Sequence, residues 1–350
     1  MNRSGTVERV LRTRLDPWLE RFMHLAVRVG LSRHDPIRWK LAPHRREAMR
    51  RTLLAHRATA AALSGAVVAG NAEAIATYDD SVAQALEEMR AIRPAGQGKL
   101  DTGKLLAAIE KPLHRDVPEV MDDPAFPEDA RADALDVLDR LNEAAGSYQQ
   151  FVHLLLPLIQ AAEHAGRRPV RIHDVAAGHG GFAIHLRKVL GDRVQLTASD
   201  IVPEYLALGE ARARELGVDV EFRVLDALEP RALRGAEIVT CTQSLHHFTP
   251  GMVARLIGEA AREANVGALL IDGERSWLTW GVLTPIAALY GRTYAFVHDA
   301  AVSIRRMYYQ EELALLAGLA PQVPKAARVE TGTASPAHTF VRIAHTVAAA

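Results

Sequence analysis

Near the start of the chain, hydrophobic residues recur in steps of three and four. Val7, Val10, Leu11, Leu15, Trp18, Leu19, Phe22, Leu25, Ala26 and Val29 share one face of a helix, and Arg3, Arg9, Arg12, Arg14, Arg21 and Arg28 fall largely off it. A basic amphipathic helix of this kind packs on its own domain or lies on a membrane surface, and packing is the commoner fate. His34-Asp35-Pro36 reads as its stop. From Pro43 to Ile92 alanine, arginine and glutamate dominate, with a break at Gly70-Asn71. This predicts a helical hairpin whose helices start at Pro43 and Asn71. Arg93-Pro94-Ala95-Gly96-Gln97-Gly98 is a linker. A short helix is expected at 102–110, then a proline-punctuated run to Pro127. The stretch 128–145 predicts a helix with Ala134, Leu135, Leu138 and Leu141 inward. After Gly146-Ser147 comes another, 148–164, burying Phe151, Leu154, Leu155, Leu158 and Ile159 and bent at Pro157.

From Arg171 the period changes. Short apolar runs at 171–175, 194–199, 218–225, 237–242 and 268–272 read as strands, and helices at 183–190, 203–216 and 250–264 separate them. Such alternation predicts a parallel sheet covered by helices on both faces. Beyond Asp272 an irregular apolar region is expected, then a helix at 310–317 and two β-prone segments, 327–331 and 338–344. Trp277 to Val297 is apolar for about the length of a membrane span, but Pro285 and Arg292 argue against spanning, and a substrate lid is expected instead. The fold class is α/β: a Rossmann-like, doubly wound, mostly parallel sheet preceded by an all-helical N-terminal domain. The divisions fall at 1–95 (helical), 96–168 (linker and helical cap) and 169–350 (the sheet domain).

Composition narrows the function. Lysine plus arginine equals aspartate plus glutamate, 42 each, so no basic field exists to hold a nucleic acid. Cys241 is the only cysteine, which rules out an internal disulfide framework and fits a reducing cytoplasm. The N-terminus lacks the uninterrupted apolar core of a signal peptide. The N-terminal helices are expected to dimerise the chain, cap its site or touch a membrane, and the sequence does not choose among these.

The chemistry centres on Asp174-Val175-Ala176-Ala177-Gly178-His179-Gly180-Gly181, a strand end and glycine turn leading into a helix. Its glycines let backbone approach a ligand, and the helix offers free N–H groups. Gly178-His179-Gly180-Gly181-Phe182-Ala183 also satisfies the dinucleotide pattern G-x-G-x-x-A, so the turn alone leaves the ligand open. The strand ends add Asp200, Asp226, Gln243-Ser244 and Asp272. Asp200, roughly twenty residues after the glycines, suits a ribose diol. Asp226 suits an adenine amine. Asp174 suits a cationic group and would repel a pyrophosphate.

Together these residues resemble the motifs of class I S-adenosylmethionine-dependent methyltransferases: Asp174 to Gly181, Asp200-Ile201, Asp226-Ala227, and Ser244-Leu245-His246-His247-Phe248. The likeness is to small-molecule enzymes of ubiquinone, menaquinone and bacterial natural-product pathways, and it covers about residues 130–346. One departure is Ala176, where many members have glycine. The resemblance implies that S-adenosyl-L-methionine is the cofactor. Asp174, Ala176, Gly178 and Gly180 would hold its methionine end, Asp200 the ribose, Ile201, Asp226 and Ala227 the adenine, and Gln243 would lie beneath the methionine. The helices of 128–164 would cover it, with Tyr148 facing it.

For an acceptor hydroxyl a base is useful, and His247, with His246 beside it, follows the fourth strand where an acceptor must sit. Neither histidine has a companion at chelating sequence spacing, so no metal is expected. Cys241 reads as a core residue. Trp277, Trp280, Tyr290, Tyr294, Phe296, Tyr308 and Tyr309 crowd one region of an aromatic-poor chain. Residues 274–309 are therefore expected to form an acceptor pocket for an apolar or aromatic small molecule, with Glu274, Arg275, Trp277, Tyr294 and Tyr148 as contacts. Competing readings are a NAD(P)-dependent oxidoreductase and a non-catalytic binding protein on the same fold.

Overall fold

Asp35 accepts hydrogen bonds from the backbone N–H groups of Ile37 (2.9 Å) and Arg38 (3.3 Å), and helix α1 runs Pro36–Val68 from that cap. An acid followed by proline is a start signal, because the acid satisfies orphan N–H groups and proline lacks one. The reading of Pro43 as a helix start is corrected accordingly: Pro43 lies inside α1. The computed structural model describes residues 35–92, 105–108, 113–115, 117–123, 125–290, 294–335 and 337–346. The amphipathic segment at 1–31 and the linker at 93–98 lie outside the described residues.

Helix α2, Ala72–Ala91, is capped by Asn71, whose side chain accepts from Ala74 N at 2.9 Å. Then come α3 (Glu128–Ala144) and α4 (Ser147–His164), with left-handed Gly146 (φ 68°) at their junction. Strands and helices then alternate: β1 (Val170–Val175), α5 (Gly181–Leu190), β2 (Val194–Asp200), α6 (Pro203–Glu215), β3 (Glu221–Val224), β4 (Ile238–Thr242), α7 (Pro250–Glu263) and β5 (Gly267–Gly273). Beyond β5 the chain is not irregular, as expected from its uniform apolarity, but helical. It forms α8 (Trp277–Tyr290) and α9 (Tyr294–Arg306), followed by α10 (Gln310–Leu319), β6 (Arg328–Ala334) and β7 (His338–Ala344). An all-round apolar helix shows no 3.6-residue stripe, so periodicity missed α8. Among the described residues no helix is long and apolar enough to cross a membrane.

The seven strands lie in the order β3-β2-β1-β4-β5-β7-β6. All pairings are parallel except those of β7, which enters antiparallel between β5 and β6 with Leu270 opposite Val341. Alternation along the strands separates two cores. Ile238, Leu269 and Ile271 face one, with Phe151, Leu155 and Ile159 of α4 and Phe182 and Leu186 of α5. Val239, Cys241 and Leu270 face the other, with Leu256 and Ile257 of α7 and Leu316 of α10.

Tyr78, Val82 and Leu86 of α2 belong to that second core, so residue 95 does not divide two cores. Polar ties reinforce the packing. Tyr78 Oη donates to Leu319 O at 2.8 Å, and Arg255 of α7 makes two 3.0 Å bonds to Asp79. Leu138 of α3, expected inward, is 37% exposed because it faces a cavity rather than a core.

Candidate functional site

The chain leaves β1 for β2 and β3 on one side and returns for β4 on the other. At this switch the loops beyond the strand ends diverge and leave a crevice. A cavity of about 940 Å³ opens there, walled by the strand-end loops, by α3 and the start of α4, and by α9.

The glycine turn forms its floor. Ala176 (φ 47°), Gly178 (φ 57°) and Gly180 (φ 72°) all adopt left-handed backbone. Alanine bears that conformation at a cost of about 1 kcal/mol, which gives Ala176, the departure noted above, a physical meaning. A Cβ added to Gly178 would meet nothing within 4 Å, so its surface is open to a ligand. Gly180 differs: its added Cβ would lie 2.7 Å from Phe222 Cε1, and Gly180 does not line the cavity. It serves helix–sheet packing, a correction to its expected ligand contact.

Of the strand-end acids, Asp200 and Asp226 line the cavity and Asp174 does not. Asp200 Oδ2 accepts from Gly178 N at 2.8 Å and Oδ1 from Val202 N at 3.0 Å, which locks the carboxylate against the turn. Asp226 Oδ1 accepts from Leu228 N at 2.8 Å and holds its own loop, with Ala227 also in the wall. Exposed Ile201 lies beside them. Asp174 is buried beneath the turn and accepts from Thr240 Oγ1 at 2.7 Å. Burial pushes its carboxyl up to about 7, helped by the charge of Asp200 and opposed by Thr240. The expected direct contact of Asp174 is thus replaced by support from below.

Helices α3 and α4 supply the opposite wall through residues that local pattern did not single out. The buried Asp139 carboxylate accepts from Tyr148 Oη at 2.5 Å, lies 2.8 Å from His179 Nε2 and accepts from Arg212. It stands at the first turn of α5, where a Cβ on Gly181 would meet Asp139 Oδ1. Burial pushes this carboxyl up, but hydrogen bonds and charge from His179, Tyr148 and Arg212 bring it below its ordinary value. Tyr148 lines the cavity, and burial beside Asp139 raises its phenol. Gln243, left-handed at φ 57°, also lines the cavity, as do Ala176, Gly178 and Asn142.

At the far end stand His246 and His247, their rings 4.3 Å apart between centroids. His246 Nδ1 donates to buried Asp272 (Oδ2 2.8 Å), and its Nε2 lies 3.5 Å from Glu119 Oε1. Burial alone would lower the His246 imidazole, but Asp272 and Glu119 raise it to about 10. Burial raises Glu119 while His246, His247 and Ser303 bring it down to about 2. Glu119 supplies the companion that sequence spacing near the histidines did not show.

Glu274, Arg275 and Trp277 do not line the cavity. Glu274 pairs with Arg38 of α1 at 2.7 Å, and Arg275 pairs with Glu312 at 2.5 Å and donates to Met307 O. Both join elements of the fold away from the cavity wall, which corrects their expected substrate contacts. Trp277 packs edge-on against Trp280, with ring centroids 5.7 Å apart. The Tyr294 side chain lies outside the described residues. From the expected pocket region the cavity takes Thr279, Phe296, Asp299, Ser303, Ile304 and Met307 instead.

Residues 172–267 match a family model described as a methyltransferase domain. A demethylmenaquinone methyltransferase of Deinococcus radiodurans is 35% identical over 89 residues, 25% of this chain and 36% of that protein. A release factor glutamine methyltransferase of Koribacter versatilis is 42% identical over 78 residues, 21% of this chain and 28% of that protein. The chain therefore spans about a third of the length of the curated relatives it matches. A crystal structure of magnesium protoporphyrin IX methyltransferase from Synechocystis PCC 6803 with bound SAH superposes with a TM-score of 0.40 at 17% identity, covering 59% of this chain and 87% of that one. A SAM-dependent methyltransferase from Aquifex aeolicus gives 0.41 at 14%, covering 61% and 98%. Residues 172–267, from β1 to the start of β5, thus resemble a methyltransferase domain.

Proposed function

We propose that this chain transfers the methyl group of S-adenosylmethionine to an oxygen or carbon of an apolar or aromatic small molecule. One observation carries the choice of cofactor: the Asp139 carboxylate stands at the first turn of α5. A dinucleotide would place its pyrophosphate on that helix N-terminus. A buried carboxylate held there by His179, Tyr148 and Arg212 repels a phosphate and tolerates a cation. The rest of the floor fits a nucleoside without phosphates. Gly178 leaves room for backbone contact, the two Asp200 oxygens keep lone pairs for a diol, and Asp226 with Ala227 borders a slot beside Ile201.

S-adenosylmethionine, when bound, supplies a methyl group already activated by a positive sulfonium. The residues of the chain then have to align the acceptor and exclude water. Helix α3, the start of α4 and helix α9 close the cavity over the strand ends, and Leu138, Phe296, Ile304 and Met307 give its acceptor side an apolar lining. His247, the more exposed of the pair, lines this side, beside the place the acceptor's nucleophilic atom would take.

The test is calorimetry of the purified chain with S-adenosylmethionine and with nicotinamide dinucleotides, beside mass spectrometry of copurified ligands. Binding of S-adenosylmethionine alone, lost in Asp200→Ala, is the expected result. Tight nicotinamide binding would overturn the reading.

A further inference from the structure

Three donor atoms, one from Glu119 and two from the adjacent His246 and His247, converge on one corner of the cavity. Glu119 Oε1 lies 3.5 Å from His246 Nε2 and 4.0 Å from His247 Nε2, and the three atoms all lie within 4.8 Å of one another. Ligands held about 2.0–2.2 Å from a common ion stand roughly 2.9–4.2 Å apart. The two separations from Glu119 fall in that range, and the third, at most 4.8 Å, needs only a small closing movement of the exposed His247 ring. We propose that Glu119, His246 and His247 bind one divalent transition-metal ion, whose open positions face the acceptor side of the cavity.

The supporting residues are arranged as such a site requires. His246 Nδ1 donates to Asp272, at 2.8 and 3.1 Å from its two oxygens, so Nε2 is the nitrogen turned toward Glu119. A carboxylate behind a ligating histidine fixes the tautomer and raises its basicity. Asp272 is itself held by the backbone N–H groups of His246 (2.8 Å) and Gly273 (2.7 Å). Ser303 Oγ donates to Glu119 Oε1 at 2.7 Å and orients that carboxylate. Asp299 accepts from Val120 N at 2.7 Å and Met121 N at 2.9 Å, which pins the Glu119 segment over the histidines.

Arg306 Nη1, 3.8 Å from Glu119 Oε1, is the one opposing charge in direct reach among the described pairs. Binding the ion displaces the His246 proton, so that Glu119 and Asp272 face Arg306 and the ion together. Two imidazoles and one carboxylate suit zinc, cobalt, manganese or iron(II) better than calcium or magnesium, which take oxygen ligands.

The chemical role rests on the methyl-transfer reading; the binding does not. A hydroxyl oxygen of the acceptor that enters an open position loses its proton to water more readily, because the cation stabilises the oxyanion. That oxygen then forms the new C–O bond to the methyl carbon, the S–C bond breaks, and its electron pair passes to sulfur. His247 is then a ligand rather than a base, and the acceptor class narrows to hydroxyl- or enol-bearing small molecules.

The experiment uses the full chain without an affinity tag, stripped by a chelator and titrated with Co²⁺ or Zn²⁺. Calorimetry, metal analysis and the visible absorption of bound Co²⁺ are read together. One equivalent per chain is expected, and Glu119→Gln and His247→Gln should each weaken binding by roughly tenfold or more, with circular dichroism confirming that both remain folded. Loss of fold in one variant leaves the other, and the Co²⁺ spectrum of the parent chain, to decide. Failure of the parent chain to take up either ion, or equal affinity in folded variants, overturns the site. Asp200→Ala separates the two readings. It should keep the ion while losing S-adenosylmethionine, and methyl transfer by the fully stripped chain would remove the ion's chemical role and leave the methyltransferase standing.

Discussion

Asn142 and Gln243 exchange two amide hydrogen bonds, Asn142 Nδ2 to Gln243 Oε1 at 2.6 Å and Gln243 Nε2 to Asn142 Oδ1 at 2.8 Å. The pair joins the covering helix α3 to the loop after β4, and both residues line the cavity. Gln243→Ala should release that wall. Loss of one such buried pairing is worth about 1–2 kcal/mol, so S-adenosylmethionine affinity should fall roughly tenfold. Isothermal titration of both proteins checks this, and unchanged affinity would show that α3 is held without the pair.

The glycines of the turn should not be equivalent. A Cβ at Gly181 would lie 2.1 Å from Asp139 Oδ1, whereas at Gly178 it would meet nothing within 4 Å. Gly181→Ala must push the covering helix away and should cost about 1–3 kcal/mol by overpacking. Gly178→Ala bears chiefly the left-handed backbone cost, about 1 kcal/mol. Urea denaturation ranks the two. The opposite order would contradict the packing described for Asp139.

Glu312 is the hub of a buried ion network. It accepts from Arg90 Nε at 2.7 Å and Arg275 Nη2 at 2.5 Å, and Arg275 also stacks 4.4 Å from the Tyr309 ring centroid. Burial raises the Glu312 carboxyl, but the two guanidinium groups hold it well below the usual range. Glu312→Gln leaves buried Arg275 without a carboxylate, while Arg90 keeps Glu87, and should cost about 3 kcal/mol. Cofactor affinity of the folded fraction should be unchanged, since none of these side chains lines the cavity. Thermal melts with calorimetry below the midpoint read both quantities.

Asp174 predicts a pH effect of definite sign. Its folded-state carboxyl titrates near about 7, raised by burial, against 3.8 for an ordinary aspartate. The folded chain therefore holds this proton over a range where the unfolded chain has released it. Its contribution to stability falls as pH rises from about 4 to about 7 and is level above that. Asp174→Asn cannot ionise, so its stability relative to the parent should climb through that window. Denaturation at pH 5 and pH 8 measures the difference, and a constant difference would refute the raised value.

The parts of the site that were readable before folding were those built from neighbours in sequence. The turn at Gly178, the acids Asp200 and Asp226, Gln243 and the His246-His247 pair each sit at the end of a strand, and all six line the cavity. Asp174 and Gly180 were found for the right motif but sit one layer away, because a pattern of residue types does not say which atoms reach the surface. Glu274 and Arg275 misled because their partners, Arg38 and Glu312, lie far off in the chain.

The sequence by itself determined the strand–helix alternation, the left-handed turn and the order of the strand-end acids, since these follow from backbone sterics and short-range periodicity. Tertiary packing alone decided what faces the ligand. It brought Asp139 and Asn142 of α3 onto the glycine turn and Gln243, and carried Glu119 to the two histidines. It also put α2 into the core of the sheet. Each of these pairings joins segments with no local relation, so only the closing of the chain into one set of cores could specify them.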